Sequence, residues 1–235
     1  MEHLFSGGLV LRDDRCFPLG TDAILLADFA RPPRGCAVCD LGCGCGAVGL
    51  LLCARDGALR LTGVEFDEAA CETARDNAAR SGMKDRVRIL RADLREPGEM
   101  PPAGTFRAVV ANPPYFPRGG TSAAGSRGRA RSERTCAPDE LCAAAARLLT
   151  NGGVFFLSYR PERLADMLCA LRAHALEPKR IRLARCRTDA APSVALLEAR
   201  RGGGPGLRFE PDLILSGPDG APTAEYRRIY HTEEA

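Results

Sequence analysis

The chain has 235 residues, enough for one substantial domain with an ordinary core, and its 45% hydrophobic and 27% charged composition is that of a globular protein. Its formal charge of +3 identifies no partner by itself, and no run approaches the ~20 apolar residues of a membrane span. The N-terminus lacks a basic start followed by an apolar stretch, so a cytoplasmic protein with no membrane partner is expected.

LVLR (9–12) and CFPL (16–19), separated by Asp13-Asp14-Arg15, predict a short hairpin. Gly20, Thr21 and Asp22 read as a helix start before AILLADFA, with Thr21 or Asp22 as the cap, and Pro32-Pro33 ends that helix. From CAVCDL (36–41) onward strand and helix signals alternate. A glycine turn opens the helix AVGLLLCAR, RLTGVEF (60–66) is a second strand, and DEAACETARDNAARSG (67–82) is a helix closed by Gly82. RVRILRAD (86–93) predicts a third strand, and FRAVVANPP (106–114) a fourth that runs into prolines unable to continue a ladder. Residues 116–137, rich in Gly, Ser, Ala and Arg, have no periodicity and read as a loop. PDELCAAAARLLTNGG (138–153) is a helix with Pro near its first turn, VFFLSY (154–159) a fifth strand, and ERLADMLCALRAHAL the next helix. KRIRLARC and SVALLEAR end the regular core as a hairpin.

This alternation predicts an α/β sheet of seven strands with helices on both faces, mostly parallel, with one antiparallel strand from the final hairpin. That is the architecture of class I methyltransferases, a Rossmann-like variation on the doubly wound fold. A single domain is expected: a hairpin-and-helix extension (1–35), a catalytic core (36–201) and a less regular appendage (202–235).

Charge is unevenly spread. Arg118, Arg127, Arg129, Arg131 and Arg134 share a segment whose only acid is Glu133, and Lys179, Arg180, Arg182, Arg185 and Arg187 form a second basic stretch. Either patch suits phosphates. Against this, all but two of the 33 basic residues (Lys84 and Lys179) are arginine, a bias of general composition.

CAVCDLGCGCG (36–46) invites two readings. Its cysteines suggest a metal or redox site; its glycines and Asp40 suggest a ligand-binding turn. Cys36 and Cys39 lie three apart on a strand and so face opposite sides of the sheet, and no second Cys/His cluster completes a tetrahedral site, so no metal is expected. Cys43 and Cys45 read as small residues between glycines, lining the turn where alkylation would inactivate the protein. Asp40-x-Gly42-x-Gly44-x-Gly46 ends a strand and opens a helix, where an open α/β sheet has its ligand crevice. An acid two residues before the first glycine would repel a pyrophosphate and suit a cation. The pattern resembles the first motif of methyltransferases that use S-adenosyl-L-methionine, whose sulfonium and ammonium groups are cationic. Glu65, closing the second strand, is placed for ribose hydroxyls, and Asp93, closing the third with Leu94 following, for an adenine amino group. Asp67 and Glu68 serve to cap the next helix, which leaves Glu65 for the ligand.

Asn112-Pro113-Pro114-Tyr115 ends the fourth strand beside this crevice. The Asn112 side-chain oxygen and the Pro113 carbonyl can accept from an exocyclic NH₂, orient it and free its lone pair for attack on a methyl group, while Pro114 stiffens the backbone and Tyr115 stacks on a planar substrate.

The tetrapeptide resembles that of amino-methyltransferases. With PLGTDAILLADFA, ERTCAPDELCAAAARLLTNGGVFFLSYRPERLADML, LEPKRIRLAR and the tail EYRRIY, nearly the whole chain closely resembles the bacterial tRNA(Val) anticodon-loop adenine N6-methyltransferase family. The resemblance implies an enzyme acting on tRNA, with Thr21 and Asp22 over the cofactor and Tyr115 and Phe116 against a flipped adenine. Asp40, Gly42, Glu65 and Asp93 carry over as cofactor contacts, with Gly44, Gly46 and Asn112 beside them. Arg118, Arg131 and Arg134 are candidate RNA contacts.

Two other enzymes share the tetrapeptide. A glutamine methyltransferase acting on release factors ordinarily carries a helical domain before the glycine strand, and a ribosomal guanine N2-methyltransferase a dedicated RNA-binding domain; neither is in this sequence. A non-enzymatic RNA-binding module would show a damaged turn or tetrapeptide, and both are intact.

Overall fold

Successive apolar residues of the central strands point to opposite faces, and that sorts the core into two layers, one on each face of a sheet. A computed structural model describes residues 2–5, 8–14, 18–113 and 137–230. Its strands are β1 (Glu2–Phe5), β2 (Leu9–Arg12), β3 (Ala37–Leu41), β4 (Arg60–Glu65), β5 (Val87–Arg91), β6 (Phe106–Ala111), β7 (Leu149–Tyr159), β8 (Leu176–Arg185), β9 (Pro192–Arg201), β10 (Arg208–Phe209) and β11 (Leu213–Ile214). Its helices are α1 (Thr21–Phe29), α2 (Ala47–Arg55), α3 (Glu68–Arg80), α4 (Pro138–Leu148), α5 (Leu164–Ala173) and α6 (Ala224–Tyr230).

The main sheet has the order β10-β8-β9-β7-β6-β3-β4-β5, with β11 also pairing β8. Seven long strands form it, as expected, and β9 alone among them runs antiparallel to its neighbours β7 and β8. The two-residue strands β10 and β11 add a fringe to the outer side of β8. Val38, Ala108, Val110 and Phe156 face one layer, with α1, α2 and Ile229 of α6; Cys39, Val109, Ala111 and Phe155 face the other, with α4 and α5. Strands buried on both faces read as near-continuous apolar runs, which is why FRAVVA and VFFL look as they do.

Three local expectations are corrected. Leu9–Arg12 pairs with Glu2–Phe5; of the expected partner strand 16–19, residues 16 and 17 lie outside the described residues, and 18 and 19 have no strand geometry. A proline at 18 offers no amide to a ladder, and Leu19 instead donates its N–H to Asp13 Oδ2 at 2.8 Å. The cap of α1 is Gly20, with Thr21 already helical. The helix read over 138–153 ends at Leu148, because 149–153 begin β7, where Leu149 pairs with Phe106 of β6.

Four of the five cations in the basic stretch 179–187 bind the chain itself, and the fifth, Arg187, is exposed beside Asp189. Arg180 reaches Glu198, Glu210 and the Phe29 carbonyl, and its guanidinium lies over the Phe29 ring at 3.9 Å. Arg182 bonds Glu225 and the Pro211 carbonyl, Arg185 bonds Asp212, and Lys179 bonds the Gly204 carbonyl. These side chains fasten residues 204–225 along β8. Helix α6 is further held by Arg228 on both Asp28 oxygens, at 3.0 and 3.2 Å, and carries a stacked Tyr226–Tyr230 pair.

Asn77 of α3 anchors the other end of the chain. Fully buried, it accepts from Arg12 N (2.9 Å) and donates to Arg12 O (3.0 Å) and to Cys45 O (2.9 Å). One carboxamide thus joins β2 to the glycine turn, and Ser81 one turn on adds a bond from Val10 N at 3.1 Å. Asn77→Ala removes three hydrogen bonds to backbone groups, so a loss of about 2–4 kcal/mol in unfolding free energy is expected by denaturant titration. Faster hydrogen exchange at Arg12 should accompany it; an unaltered exchange rate there would contradict the anchoring role.

Candidate active site

The parallel register lines up the strand ends. Leu41 pairs with Ala111 on one side and Val64 on the other, so Asn112, Gly42 and Glu65 stand next as one row at the carboxyl edge of β6, β3 and β4. Leu157 pairs with Ala111, which sets Ser158 of β7 beside Asn112.

The glycine turn hangs from β4: Gly42 N and Cys43 N both donate to Val64 O, at 2.8 and 3.0 Å. Gly42 (φ 68°) and Gly44 (φ 54°) take left-handed backbone that a side chain disfavours, and a Cβ on either would stand in open space. Their backbone therefore faces the crevice bare, as a cradle for close approach. Gly46 caps α2.

Asp40 lies under this turn. It is 1% exposed, and its Oδ2 accepts from Gly49 N at 3.0 Å. The period of two puts Val38 and Asp40 on the α2 face of β3, which accounts for an inward carboxyl. Gly49 permits the contact, since a Cβ there would meet the Leu61 side chain at 2.4 Å. Burial pushes the Asp40 carboxyl up to about 7, with the Gly49 amide opposing and Glu65 adding to the rise.

The other two acids are engaged with the protein. Asp67 is the N-cap of α3, as expected, accepting from Ala70 N at 3.1 Å. Glu65 nonetheless is not left unbonded: its Oε2 accepts from Gly44 N at 2.9 Å and its Oε1 from Phe66 N and Asp67 N at 2.8 and 2.9 Å. Asp93 is gripped by Arg95 through both carboxylate oxygens, at 2.9 and 2.6 Å, and that guanidinium holds its carboxyl below the usual range. Leu94 packs against the α4–α5 layer.

Thr21 is exposed at the start of α1, and Asp22 Oδ1 accepts from Ala23 N at 3.0 Å. Helix α1 leads down toward the start of β3, so its first turn stands at the same edge as the glycine turn. Tyr230 of α6 is half-buried beside Thr21 and Asp22, and burial pushes its hydroxyl's ionisation up.

Asn112 Oδ1 accepts a hydrogen bond from the Ser158 hydroxyl, and Ser158 is fully buried. Sequence reasoning missed Ser158. Its signal was a polar residue at the end of the apolar run VFFLSY, on the same face as Phe156. Pro114, Tyr115, Phe116, Arg118, Arg131 and Arg134, like most of the 116–137 segment, lie outside the described residues.

The cysteines of the turn are corrected in one respect. Cys43 and Cys45 are buried, and the Cys43 sulfur fills the space over Gly63, where a Cβ would come within 2.8 Å of it. Burial, with Asp40 and Glu65 adding, pushes the Cys43 thiol far up, so alkylation in the folded protein is disfavoured. Among the described residues no group of three or more His, Cys, Asp or Glu side chains could hold a metal ion. No described helix is long and apolar enough to cross a membrane.

Residues 19–166 match the Methyltransferase small domain family. A tRNA1(Val) (adenine(37)-N6)-methyltransferase of Dickeya chrysanthemi is 35% identical over 213 residues, spanning 85% of this chain and 81% of the relative. The enzyme of the same name from Porphyromonas gingivalis is 31% identical over 190 residues, spanning 77% of this chain and 74% of the relative. The crystal structure of a predicted O-methyltransferase, protein Atu636 of Agrobacterium tumefaciens, superposes with a TM-score of 0.75 over 92% of this chain and 98% of that one. At its 24% identity the likeness is one of fold. Together with the row Asn112–Gly42–Glu65, these similarities show that the chain belongs to the tRNA1(Val) (adenine(37)-N6)-methyltransferase family and carries its class I fold.

Proposed function

We propose that the protein transfers a methyl group from S-adenosyl-L-methionine to the N6 amino group of an adenine in the anticodon loop of a tRNA. The observation that carries this reading is the register that sets Asn112 directly beside Gly42 at the strand ends. An amino-orienting group and a bare glycine cradle are thereby neighbours.

The residues present fit the cofactor. The cradle offers open backbone at Gly42 and Gly44, and two carboxylates, Glu65 and Asp93, stand at the adjoining strand ends as acceptors for hydroxyl and amino groups. When bound, S-adenosyl-L-methionine supplies an electrophilic methyl group on a sulfonium. Glu65 would hold its ribose, Asp93 and Leu94 its adenine, and the first turn of α1, with Thr21 and Asp22, would cover it. Asp40 acts one layer below: its carboxyl fastens Gly49 near the start of α2 and so shapes the turn.

On the substrate side, Asn112 Oδ1 and the Pro113 carbonyl would accept the two N6 hydrogens. That pair of bonds favours a pyramidal nitrogen and aims its lone pair, preorganised by a rigid strand end. A base in an anticodon loop is single-stranded and unstacks at low cost, which suits a chain of this size. Tyr115 and Phe116 are assigned to the flipped base, and Arg118, Arg131 and Arg134 to RNA phosphates, from the family resemblance alone.

Incubation with labelled S-adenosyl-L-methionine and separated tRNA, ribosomal RNA and protein should place the label in tRNA as N6-methyladenosine. Label on guanine N2 or on a protein glutamine would overturn the substrate assignment. Asn112→Ala should lower turnover by on the order of 100-fold or more while calorimetry finds the cofactor still bound.

Asp40 yields a pH signature. Its folded pKa of about 7 lies above the ordinary carboxylate value, so between about pH 4 and about pH 7 the folded chain keeps a proton that the unfolded chain has released. This contribution to stability therefore falls as pH rises through that window and is level above it. Asp40→Asn keeps an acceptor for Gly49 N without ionising. Relative to wild type the variant should gain about 1.4 kcal/mol per pH unit across the window, read from denaturant midpoints. Parallel pH profiles for the two proteins would refute a raised Asp40 carboxyl.

A further inference from the structure

Among the described residues few polar side chains are buried: Asp13, Asp40, Thr73, Asn77 and Ser158. In β7 the inward positions Val154 and Phe156 pack into the α1–α2 layer, and the next position on that face is Ser158, with no exposed surface at all. Its neighbours across the sheet are Leu196 of β9 and the end of β6, so alanine would satisfy packing here. A hydroxyl in such surroundings is stable only with a hydrogen-bond partner, and the partner is Asn112 Oδ1.

An asparagine carboxamide at a strand end has two soft torsions and two ends of nearly equal size, one accepting and one donating. Only its bonds define where the oxygen stands. From the register and the Ser158–Asn112 bond we propose that Ser158 is a positioning residue for the methyl-transfer reaction: its hydroxyl pins the Asn112 carboxamide so that Oδ1 faces the incoming amino group. The Ser158 hydroxyl uses one lone pair of Oδ1, and a carboxamide oxygen carries two. The bond springs from the backbone of β7, which is tied into β6 and β9 on both sides, so the reference point is rigid. Ser158 itself touches neither substrate nor cofactor. This role rests on the reading of Asn112 as the amino-orienting group.

The test compares wild type, Ser158→Ala, Ser158→Thr, Asn112→Ala and the double variant Asn112→Ala/Ser158→Ala, using S-adenosyl-L-methionine and whichever acceptor wild type labels. Ser158→Ala should lower kcat by about 10- to 100-fold. Its KM for the acceptor, its affinity for the cofactor and its unfolding midpoint should stay near wild type. Ser158→Thr, which restores the hydroxyl, should recover turnover relative to Ser158→Ala. The double variant should be no slower than Asn112→Ala, since a residue acting through Asn112 has nothing left to position. Wild-type kcat in Ser158→Ala, or independent losses in the double variant, would overturn the proposal while leaving the function reading intact. Full turnover in Asn112→Ala would remove that reading and this one together, and label on another acceptor would revise the substrate while still deciding the role of Ser158.

Discussion

The site depends on the in-register parallel pairing of three short strands. Because Leu41 stands level with both Ala111 and Val64, the chain leaves the sheet at one height on β6, β3 and β4. The residues at each strand's exit are therefore delivered to one edge: Asn112, the glycine turn and Glu65. A one-residue slip of β6 would exchange its two faces, burying Asn112 with the α4–α5 layer and severing it from Ser158. The two-sided apolar packing of Ala108 to Ala111 forbids that slip, so core and site share one constraint.

The acids of the crevice are already bonded within the protein. Glu65 accepts three backbone amides, Asp40 one, and Asp93 a bidentate guanidinium. Exchange of one hydrogen-bond partner for another is far cheaper than desolvating a free carboxylate, so on the proposed function Glu65 and Asp93 would meet a ligand without a large penalty, while Asp40 stays beneath the turn. The bond from Gly44 N to Glu65 also keeps the cradle in shape, because it ties the middle of the turn to the end of β4. Under the turn, Gly49 and Gly63 are small for packing: one admits the Asp40 carboxyl, the other the Cys43 sulfur. The turn is thus held from below by Asp40, from the side by Glu65 and from behind by Asn77 on Cys45 O.

Much of this was legible in the residues. Alternating strand and helix signals located every long strand of the main sheet and helices α1 to α5 within a few residues, since each element has its own local pattern, whereas α6 fell in a stretch read as a less regular appendage. The D-x-G-x-G-x-G turn, Glu65 and Asn112 were legible because strand ends are marked by glycine, acid and proline. What failed were statements about partners. The mate of LVLR, the extension of β7 through TNGG, and the bonds of Glu65 are all set by segments distant in sequence. Asp40 is an intermediate case: a period of two from Val38 already turns it toward α2, and the expectation that it meets a cation read its charge without its face. Ser158 had a local signal, a hydroxyl on a core face, whose meaning needed the register with β6.

The arginines carry the same lesson for electrostatics. Charge counted along residues 179–187 suggests a phosphate-binding strip, yet in the fold Arg180, Arg182 and Arg185 face Glu198, Glu210, Glu225 and Asp212. Other guanidiniums end on backbone carbonyls: Arg55 on Ala27, Arg86 on Cys53 and Arg147 on Pro101. A guanidinium with five donors is well suited to stapling irregular chain, where carbonyls lack ladder partners. In a chain that uses arginine for nearly all of its positive charge, the residues that staple cannot also serve as a free phosphate-binding surface. On the function proposed above, attraction of an RNA backbone would fall to basic residues outside these staples. The segment from Arg118 to Arg134, with Glu133 as its one acid, is where the sequence concentrates them.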